Sequence, residues 1–125
     1  RKMTKKRLTI QKIKILEYLR SVKTHPTVET IYNAVKKEIA TITLATVYRN
    51  LNLLADGGKA LRLDINNEFH FDAEVSNHPH CVCKDCGKIL DISQKEISEY
   101  AMKKINCDKF NPTNVQIVFQ GHCKK

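Results

Sequence analysis

Five cysteines and four of the five histidines lie in the second half of this 125-residue chain. The segment Cys83–Gly87 is a CxxC motif followed by glycine, and Cys123 returns after a predicted helix and strand. Thiolates on a tight turn can face one ion, and a tetrahedron of soft ligands suits Zn²⁺. A redox CxxC of the thioredoxin type would instead lie at a strand-to-helix junction in a βαβ unit. We therefore predict a structural zinc site at Cys83, Cys86 and Cys123.

The sequence leaves several candidates for the fourth ligand of this zinc site. Cys123-Lys124-Lys125 resembles a second CxxC that stops one residue before its final cysteine. The fourth ligand therefore lies beyond Lys125, or Cys107 or His122 fills the position. His122 is sterically awkward beside Cys123, and Cys107 lies at the end of a predicted helix. We expect the zinc site to be incomplete or metal-free within these residues.

A second cluster consists of imidazoles and carboxylates, which are harder ligands than thiolates. His78 and His80 lie two residues apart, so their side chains project to the same side of an extended segment. Asp72 and Asp91 flank them at predicted strand ends, and His25 precedes a proline in the first half. Such a mixture of imidazoles and carboxylates suits Fe²⁺, Mn²⁺, Co²⁺ or Zn²⁺. Each residue also has an ordinary interpretation, as a helix cap, a turn former or a surface charge, and spacing does not prove that all five converge.

Three predicted helices precede these clusters. Apolar residues recur at helical spacing over 5–21, 28–35 and 44–55, and Thr27 and Thr43 are suitable N-caps for the second and third helices. The predicted apolar faces are Ile13, Ile15, Leu16 and Leu19, then Val28, Ile31, Tyr32 and Val35, then Leu44, Val47, Leu51 and Leu54. Asp56-Gly57-Gly58 ends the third helix.

A hairpin follows the three helices. Apolar and polar residues alternate over 61–65 and 69–71, and Asn66-Asn67 between them serves as a two-residue turn. This order, three helices and a hairpin, is that of a winged helix-turn-helix. The rest of the chain predicts strands over 80–83, 88–92 and 114–120 and a helix over 94–106, with Ile97, Ala101 and Ile105 on one face. The fold class is therefore mixed α/β (α+β).

The charge and the first half together favour DNA as the partner. The net charge is +9, from 22 basic and 13 acidic residues, which favours nucleic acid first and an anionic membrane surface second. In a helix-turn-helix the third helix enters the major groove. Its polar face carries Thr46, Tyr48, Arg49 and Asn52, which can bond phosphates or base edges. Further backbone contacts could come from Arg1, Lys2, Lys5, Lys6 and Arg7. The alternative is a small helical domain with a solvated basic face.

The same sequence predicts a cytoplasmic protein that does not span a membrane. Its apolar runs are far shorter than the roughly 20 residues that a membrane span needs. No apolar stretch of the signal-peptide kind follows the basic residues at the start. In a reducing cytosol, clustered cysteines are more often metal ligands or redox centres than disulfides.

Four motifs in this order resemble the ferric uptake regulator (Fur) family. They are His25-Pro26-Thr27 ahead of Ile31-Tyr32, Ala45-Thr46-Val47-Tyr48-Arg49-Asn50-Leu51, His78-x-His80, and Cys83-x-x-Cys86-Gly87-Lys88. The resemblance covers about residue 4 to residue 125. It implies a homodimer whose winged helices bind a palindromic operator when a sensor site holds metal. The implied organisation is a winged-helix DNA-binding domain over 1–72, a hinge over 73–79, and an α/β dimerisation and metal-binding domain over 80–125.

Within the family, the chain is most similar to the peroxide-stress regulators, the PerR type. That resemblance implies a sensor site for Fe²⁺ or Mn²⁺ at His25, Asp72, His78, His80 and Asp91, with aspartate where iron-uptake regulators have glutamate. It also implies that bound Fe²⁺ reacts with hydrogen peroxide, that His25 or His78 is oxidised, and that DNA is then released. Two departures from the pattern are Arg49, which is commoner in iron-uptake regulators, and Cys81 beside His80.

The sequence is also compatible with three alternative functions. The chain could be an iron, manganese or zinc homeostasis regulator of the same family with no peroxide chemistry. It could sense oxidants through Cys81, Cys107 and the CxxC thiols. It could be a zinc-stabilised enzyme, but we find no nucleophile–base pair with recognisable spacing and no phosphate-binding glycine loop. We therefore expect a regulator and no enzyme activity.

Overall fold

The structure is a computed structural model that describes residues 2–124, with side chains from residue 10 onward. The predicted DNA contacts of Arg1 and of the side chains of Lys2, Lys5, Lys6 and Arg7 lie outside the described residues. The chain divides between Val75 and Ser76 into two compact units. Helices and two small sheets occur together, which confirms the mixed α+β fold class.

The first unit contains three helices and a hairpin. Its elements are α1 Lys2–Ser21, α2 Val28–Val35, α3 Leu44–Asp56, β1 Leu61–Ile65 and β2 Glu68–Asp72. The two strands are antiparallel. Compared with the sequence prediction, α1 begins three residues earlier and α3 ends one residue later, since helix ends are the least certain part of such predictions.

Short polar residues begin α2 and α3 as predicted. The Thr27 side chain accepts a hydrogen bond from the Thr30 N–H, and the Thr43 side chain accepts one from the Thr46 N–H. Each bond satisfies an amide that has no partner within its helix. The hairpin turn is also as predicted, because Asn66 and Asn67 both adopt the left-handed backbone that a two-residue type I′ turn requires.

The core of the first unit lies between the helices and β2. It consists of Ile15, Leu19, Ile31, Val35, Ile42, Val47, Leu51, Leu54, Ala60 and Phe71. Two predicted core positions are wrong, because Ile13 and Leu44 are almost half exposed. Gln11 and Asn50 are buried, although neither belongs to the predicted apolar faces. Neighbouring elements decide which stripe of a helix is buried, and on α1 that stripe follows an i, i+4 spacing from Gln11.

The second unit contains a three-stranded sheet and one helix. Its elements are β3 His80–Cys83, β4 Ile89–Asp91, α4 Lys95–Lys104 and β5 Val118–Gly121. The sheet order is β4-β3-β5, with β3 antiparallel to β4 and parallel to β5. The last strand begins four residues later than predicted. Residues 114–117 are not assigned to a strand, although the Ile117 carbonyl accepts a hydrogen bond from the His80 N–H of β3 at 3.0 Å.

The predicted apolar residues of the fourth helix are largely exposed in this structure. Ile97 and Ile105 are exposed, Ala101 is half-buried, and Ser98 is the buried residue of this helix. Periodicity places the apolar residues on one face but does not say whether a neighbour covers that face. No helix in the described part of the chain is long and apolar enough to cross a membrane.

Candidate functional site

His25 and Asp72 form an imidazole–carboxylate pair in the first unit. His25 Nε2 lies 3.3 Å from Asp72 Oδ2, and both side chains are largely buried. Asp72 is the last residue of β2, and His25 lies in the loop that leads to α2. His25 has a φ of 56°, in the left-handed region that few residues other than glycine adopt. Such backbone strain persists only where surrounding contacts hold it in place.

Strand β2 supplies those contacts. The Phe71 N–H donates to the Pro26 carbonyl at 2.9 Å, and an isolated β-bridge pairs Thr27 with His70. The His70 ring Nδ1 lies 2.7 Å from the His25 carbonyl oxygen. His70 is not among the residues for which the sequence predicts a role. Strand alternation could have indicated one, because residues two apart on β2 share a face and His70 is two residues before Asp72.

His78, His80 and Asp91 converge in the second unit. His78 Nε2 is 2.9 Å and His80 Nε2 is 3.1 Å from the same oxygen, Asp91 Oδ1. The register of β3 against β4 causes this, because it places His80 opposite Asp91. The His78 and His80 rings lie 4.4 Å apart between centroids.

This arrangement suits a cation. His78 Nδ1 lies 2.7 Å from the Ser76 carbonyl oxygen, which can only accept, so Nδ1 carries the proton. If Nε2 carries no proton, its lone pair points at a carboxylate oxygen, and only a proton or a metal ion between the two atoms makes that contact favourable. A backbone bond to the distal nitrogen of a histidine is the usual support of a metal-binding imidazole. The nitrogen and oxygen donors therefore fit the borderline divalent metals predicted from sequence.

The five predicted sensor residues thus form two sets. The structure brings His25 to Asp72 in the first unit, and His78 and His80 to Asp91 in the second. That both sets bind one ion stays a prediction.

Three thiols converge at the other end of β3. The Sγ atoms of Cys83, Cys86 and Cys123 all lie within 4.8 Å of one another, and those of Cys86 and Cys123 are 3.8 Å apart. Gly87, with a φ of 76°, closes the turn that returns the chain after Cys86. Cys123 follows β5, whose Gly121 is in register with Cys83 of the parallel strand β3.

Backbone dipoles tune the thiols for binding a metal. Hydrogen bonds from the backbone N–H groups of Cys86 and Asp85 lower the pKa of Cys83 to about 6. The hydrogen bonds that link the Cys123 thiol to Cys83 and Cys86 raise the pKa of Cys123 to about 11, and burial and the nearby negative charge add to that. One thiolate among close thiols is a suitable starting point for Zn²⁺, since the ion displaces the remaining protons when it binds.

The two alternatives for a fourth zinc ligand differ in position. Among the described residues, Cys107 is not in the thiol group. His122 Nδ1 lies 2.9 Å from Asp85 Oδ2, at the exposed side of the CxxC turn. All five cysteines are free of disulfides in this structure.

The predicted DNA-binding residues lie along α3. Tyr48 and Arg49 are exposed, whereas Thr46 and Asn52 are half-buried. The Thr46 hydroxyl accepts from the Thr43 hydroxyl and from Arg49 Nη2. Contacts of these residues with DNA stay a prediction.

A basic residue outside the predicted DNA-binding set connects α3 to the hairpin. Arg62 of β1 donates from Nη1 to Asn52 Oδ1 at 2.8 Å, and its guanidinium lies 5.5 Å from the centre of the Phe69 ring. Arg62 Nη2 is also 3.6 Å from Asp56 Oδ1. Because Arg62 occupies the amide oxygen of Asn52, the Asn52 NH₂ group is the part left to face a partner.

Comparison with known proteins gives consistent matches over almost the whole chain. The sequence model of the ferric uptake regulator family matches residues 2–120. The chain is 34% identical to the peroxide-responsive repressor PerR of Staphylococcus aureus, over 95% of this chain and 81% of that protein. Among solved structures, it is similar to the peroxide stress regulator of Campylobacter jejuni, with 32% identity, 99% and 94% coverage and a TM-score of 0.80. It is also similar to the manganese-containing ferric uptake regulator of Pseudomonas aeruginosa, with 27% identity, 92% and 88% coverage and a TM-score of 0.70.

Proposed function

Since this chain belongs to the ferric uptake regulator family, we propose that it is a metal-dependent, DNA-binding repressor that responds to hydrogen peroxide. Membership of this family makes the chain a transcriptional regulator and not an enzyme. The peroxide response is supported by the likeness to two peroxide regulators, each more than 30% identical over most of the chain. A regulator of bacterial transcription acts beside the chromosome, so we place the chain in the cytoplasm.

The main support for this proposal is the set of imidazole nitrogens and aspartate oxygens. In both units an imidazole nitrogen faces an aspartate oxygen at hydrogen-bond distance, as it does between His25 and Asp72 and between His78 and Asp91. We propose that these residues and His80 bind one Fe²⁺ or Mn²⁺ ion. Bound Fe²⁺ would supply the electrons that reduce hydrogen peroxide and yield an oxidant that adds oxygen to a ligand ring, whereas Mn²⁺ would support DNA binding without that reaction.

The elements that carry the proposed ligands determine how oxidation of a histidine would affect DNA binding. His25 belongs to the loop before α2, and Asp72 ends the hairpin, so both are fixed to the DNA-binding unit. His78 and His80 precede or begin β3 in the second unit. Loss of the Nε2 donor of His25 or His78 would remove one of the ligands that connect the units through the ion, and with it the arrangement that favours DNA.

Domain roles and partners follow from the same reasoning. We propose that residues 1–72 form the winged-helix domain, that 73–79 form the hinge, and that 80–125 dimerise and bind Zn²⁺ at Cys83, Cys86 and Cys123. Ile97 of α4 and Ile105, which directly follows the helix, are exposed apolar residues, and they support a second copy of this chain as the partner of this surface. Two copies would read a palindromic operator through Thr46, Tyr48, Arg49 and Asn52.

Peptide mass spectrometry combined with a DNA-binding assay tests the proposal. The chain is loaded with Fe²⁺ or with Mn²⁺, treated with limited hydrogen peroxide, and titrated with a palindromic duplex. We expect His25 or His78 to gain one oxygen with Fe²⁺ only, together with loss of DNA binding. Unmodified histidines and DNA binding that simply follows the metal concentration would leave a metal-homeostasis regulator.

A cysteine variant separates histidine chemistry from thiol chemistry. The chain with Cys81→Ser and Cys107→Ser retains the five proposed sensor ligands and the thiol group of Cys83. If histidine oxidation is the signal, this variant should release DNA at the same peroxide dose as the unmodified chain. A variant that no longer responds would instead assign sensing to these two thiols.

A further inference from the structure

His25 presents its imidazole to Asp72 from a left-handed backbone conformation that few residues other than glycine adopt. Its φ of 56° places it in the left-handed region, and the following residue, Pro26, has no N–H with which to join the hairpin. The ring direction of His25 therefore depends on contacts that hold this peptide from outside. In the described first unit, those contacts come from consecutive residues of β2.

The shortest of these contacts belongs to His70. Its Nδ1 lies 2.7 Å from the His25 carbonyl oxygen, and since a carbonyl only accepts, Nδ1 donates. The His70 side chain is 17% exposed, so water competes poorly for this bond. The other ring nitrogen, Nε2, lies 3.8 Å from Glu68 Oε1, which is too long for a hydrogen bond. Of the two contacts of the His70 ring, the strong one is therefore the hydrogen bond from Nδ1 to the His25 carbonyl.

We infer that His70 is a positioning residue for the metal site: its Nδ1–H fixes the strained His25 carbonyl and thereby aims the His25 ring at Asp72. This inference rests on the proposed function, because it assumes that His25 binds the sensor metal. Strand alternation places His70 and Asp72 on one face of β2, so a single strand orients the His25 ring through its backbone and contacts its Nε2 directly. Loss of such an outer partner typically weakens metal binding by roughly 10- to 100-fold.

Two variants of equal shape test the donor. In His70→Asn the amide NH₂ occupies nearly the place of ring Nδ1 and can still donate, whereas His70→Leu has the same branching and no donor. Mn²⁺ affinity is measured by isothermal titration calorimetry on the full chain, and far-UV circular dichroism checks the fold. We expect His70→Leu to bind Mn²⁺ at least about 10-fold more weakly and His70→Asn to remain within about 3-fold of the unmodified chain.

Glu68→Gln is the matched control, since it changes the neighbour of His70 Nε2 and leaves the bond to His25 intact. Its Mn²⁺ affinity should be unchanged. Full Mn²⁺ affinity in a folded His70→Leu chain would overturn the inference. Equal weakening of Mn²⁺ binding in His70→Leu and His70→Asn would also overturn the inference. It would show that the shape of the ring, and not its Nδ1–H donor, supports the metal site.

A metal-free measurement separates this inference from the proposed function. Nuclear magnetic resonance of the ¹⁵N-labelled chain should detect a slowly exchanging His70 Nδ1 proton, and the His25 signals should move in His70→Leu but not in His70→Asn. If the unmodified chain has this proton but binds no Mn²⁺, the proposed function fails while the positioning role stands. If the proton exchanges freely, the positioning role fails whatever the metal affinity, and this readout also decides the case in which His70→Leu does not fold.

Discussion

The contact between Arg62 and Asn52 predicts a measurable coupling between the hairpin and the third helix. The bond is 2.8 Å long and involves a charged donor, for which about 1.5–3 kcal/mol is typical when it is buried. The Arg62 side chain is 32% exposed, so we reduce this to about 1 kcal/mol. The guanidinium over the Phe69 ring adds about 0.5–1 kcal/mol. The contact with Asp56, at 3.6 Å and well exposed, adds less than about 0.5 kcal/mol.

We therefore expect Arg62→Ala to lower the free energy of unfolding of the first unit by about 2 kcal/mol. For a unit of this size, that corresponds to a fall in Tm of roughly 10 °C. A double-mutant cycle of Arg62→Ala and Asn52→Ala, measured by urea unfolding, should give a coupling energy of about 1 kcal/mol. Asp56→Ala is the control and should couple to Arg62→Ala by less than about 0.5 kcal/mol.

The same variants connect this contact to DNA binding. Because Arg62 occupies the Asn52 amide oxygen, its removal frees the Asn52 side chain to rotate and takes away one side-chain contact between the hairpin and α3. Arg62→Ala should then weaken operator binding even at temperatures where the chain is fully folded. A coupling energy below about 0.3 kcal/mol between Arg62 and Asn52, together with unchanged DNA affinity, would refute the reasoning.

Three further predictions follow from single residues. In the metal-free chain, Cys83 should react with iodoacetamide with a midpoint near pH 6, since backbone N–H groups lower its pKa and the thiolate is the nucleophile, whereas Cys123 should stay unreactive until about pH 11. Phe71→Ala should lower the free energy of unfolding by about 3–5 kcal/mol, because Phe71 is fully buried, whereas Phe69→Ala should cost about 1 kcal/mol. Gly58→Ala should cost about 1 kcal/mol, because its φ is 74°.

Each of these has an internal control. Mass spectrometry of the alkylated peptides locates the modified cysteine, and a Cys83 midpoint near the ordinary value of about 8.5 would contradict the proposed backbone effect. If Phe71→Ala and Phe69→Ala lower the free energy of unfolding equally in thermal unfolding, the core does not depend on the buried face of β2. Gly121→Ala also meets open space but has no positive φ, so it should be neutral to within about 0.5 kcal/mol. If Gly58→Ala leaves the free energy of unfolding unchanged, the turn adjusts to a conformation that alanine tolerates.

The sequence by itself determined the elements that rest on local chemistry. Thr27 and Thr43 predicted the starts of two helices because a hydroxyl at that position satisfies the first free amides, and both bonds are present. Asn66-Asn67 predicted the hairpin because few other residues tolerate two consecutive left-handed conformations. The motif order indicated the family, and the comparisons confirm it.

Tertiary structure decided whatever depends on which elements become neighbours. Periodicity could not show that Asn50 is buried, because a helix has several faces and only packing selects one. It also could not place His70 against His25 or Arg62 against Asn52, which are brought together by strand pairing and by the fold of the hairpin onto α3. Ligand types and spacings are local properties of a chain, whereas the direction of a ligand ring is set by contacts between residues distant in sequence.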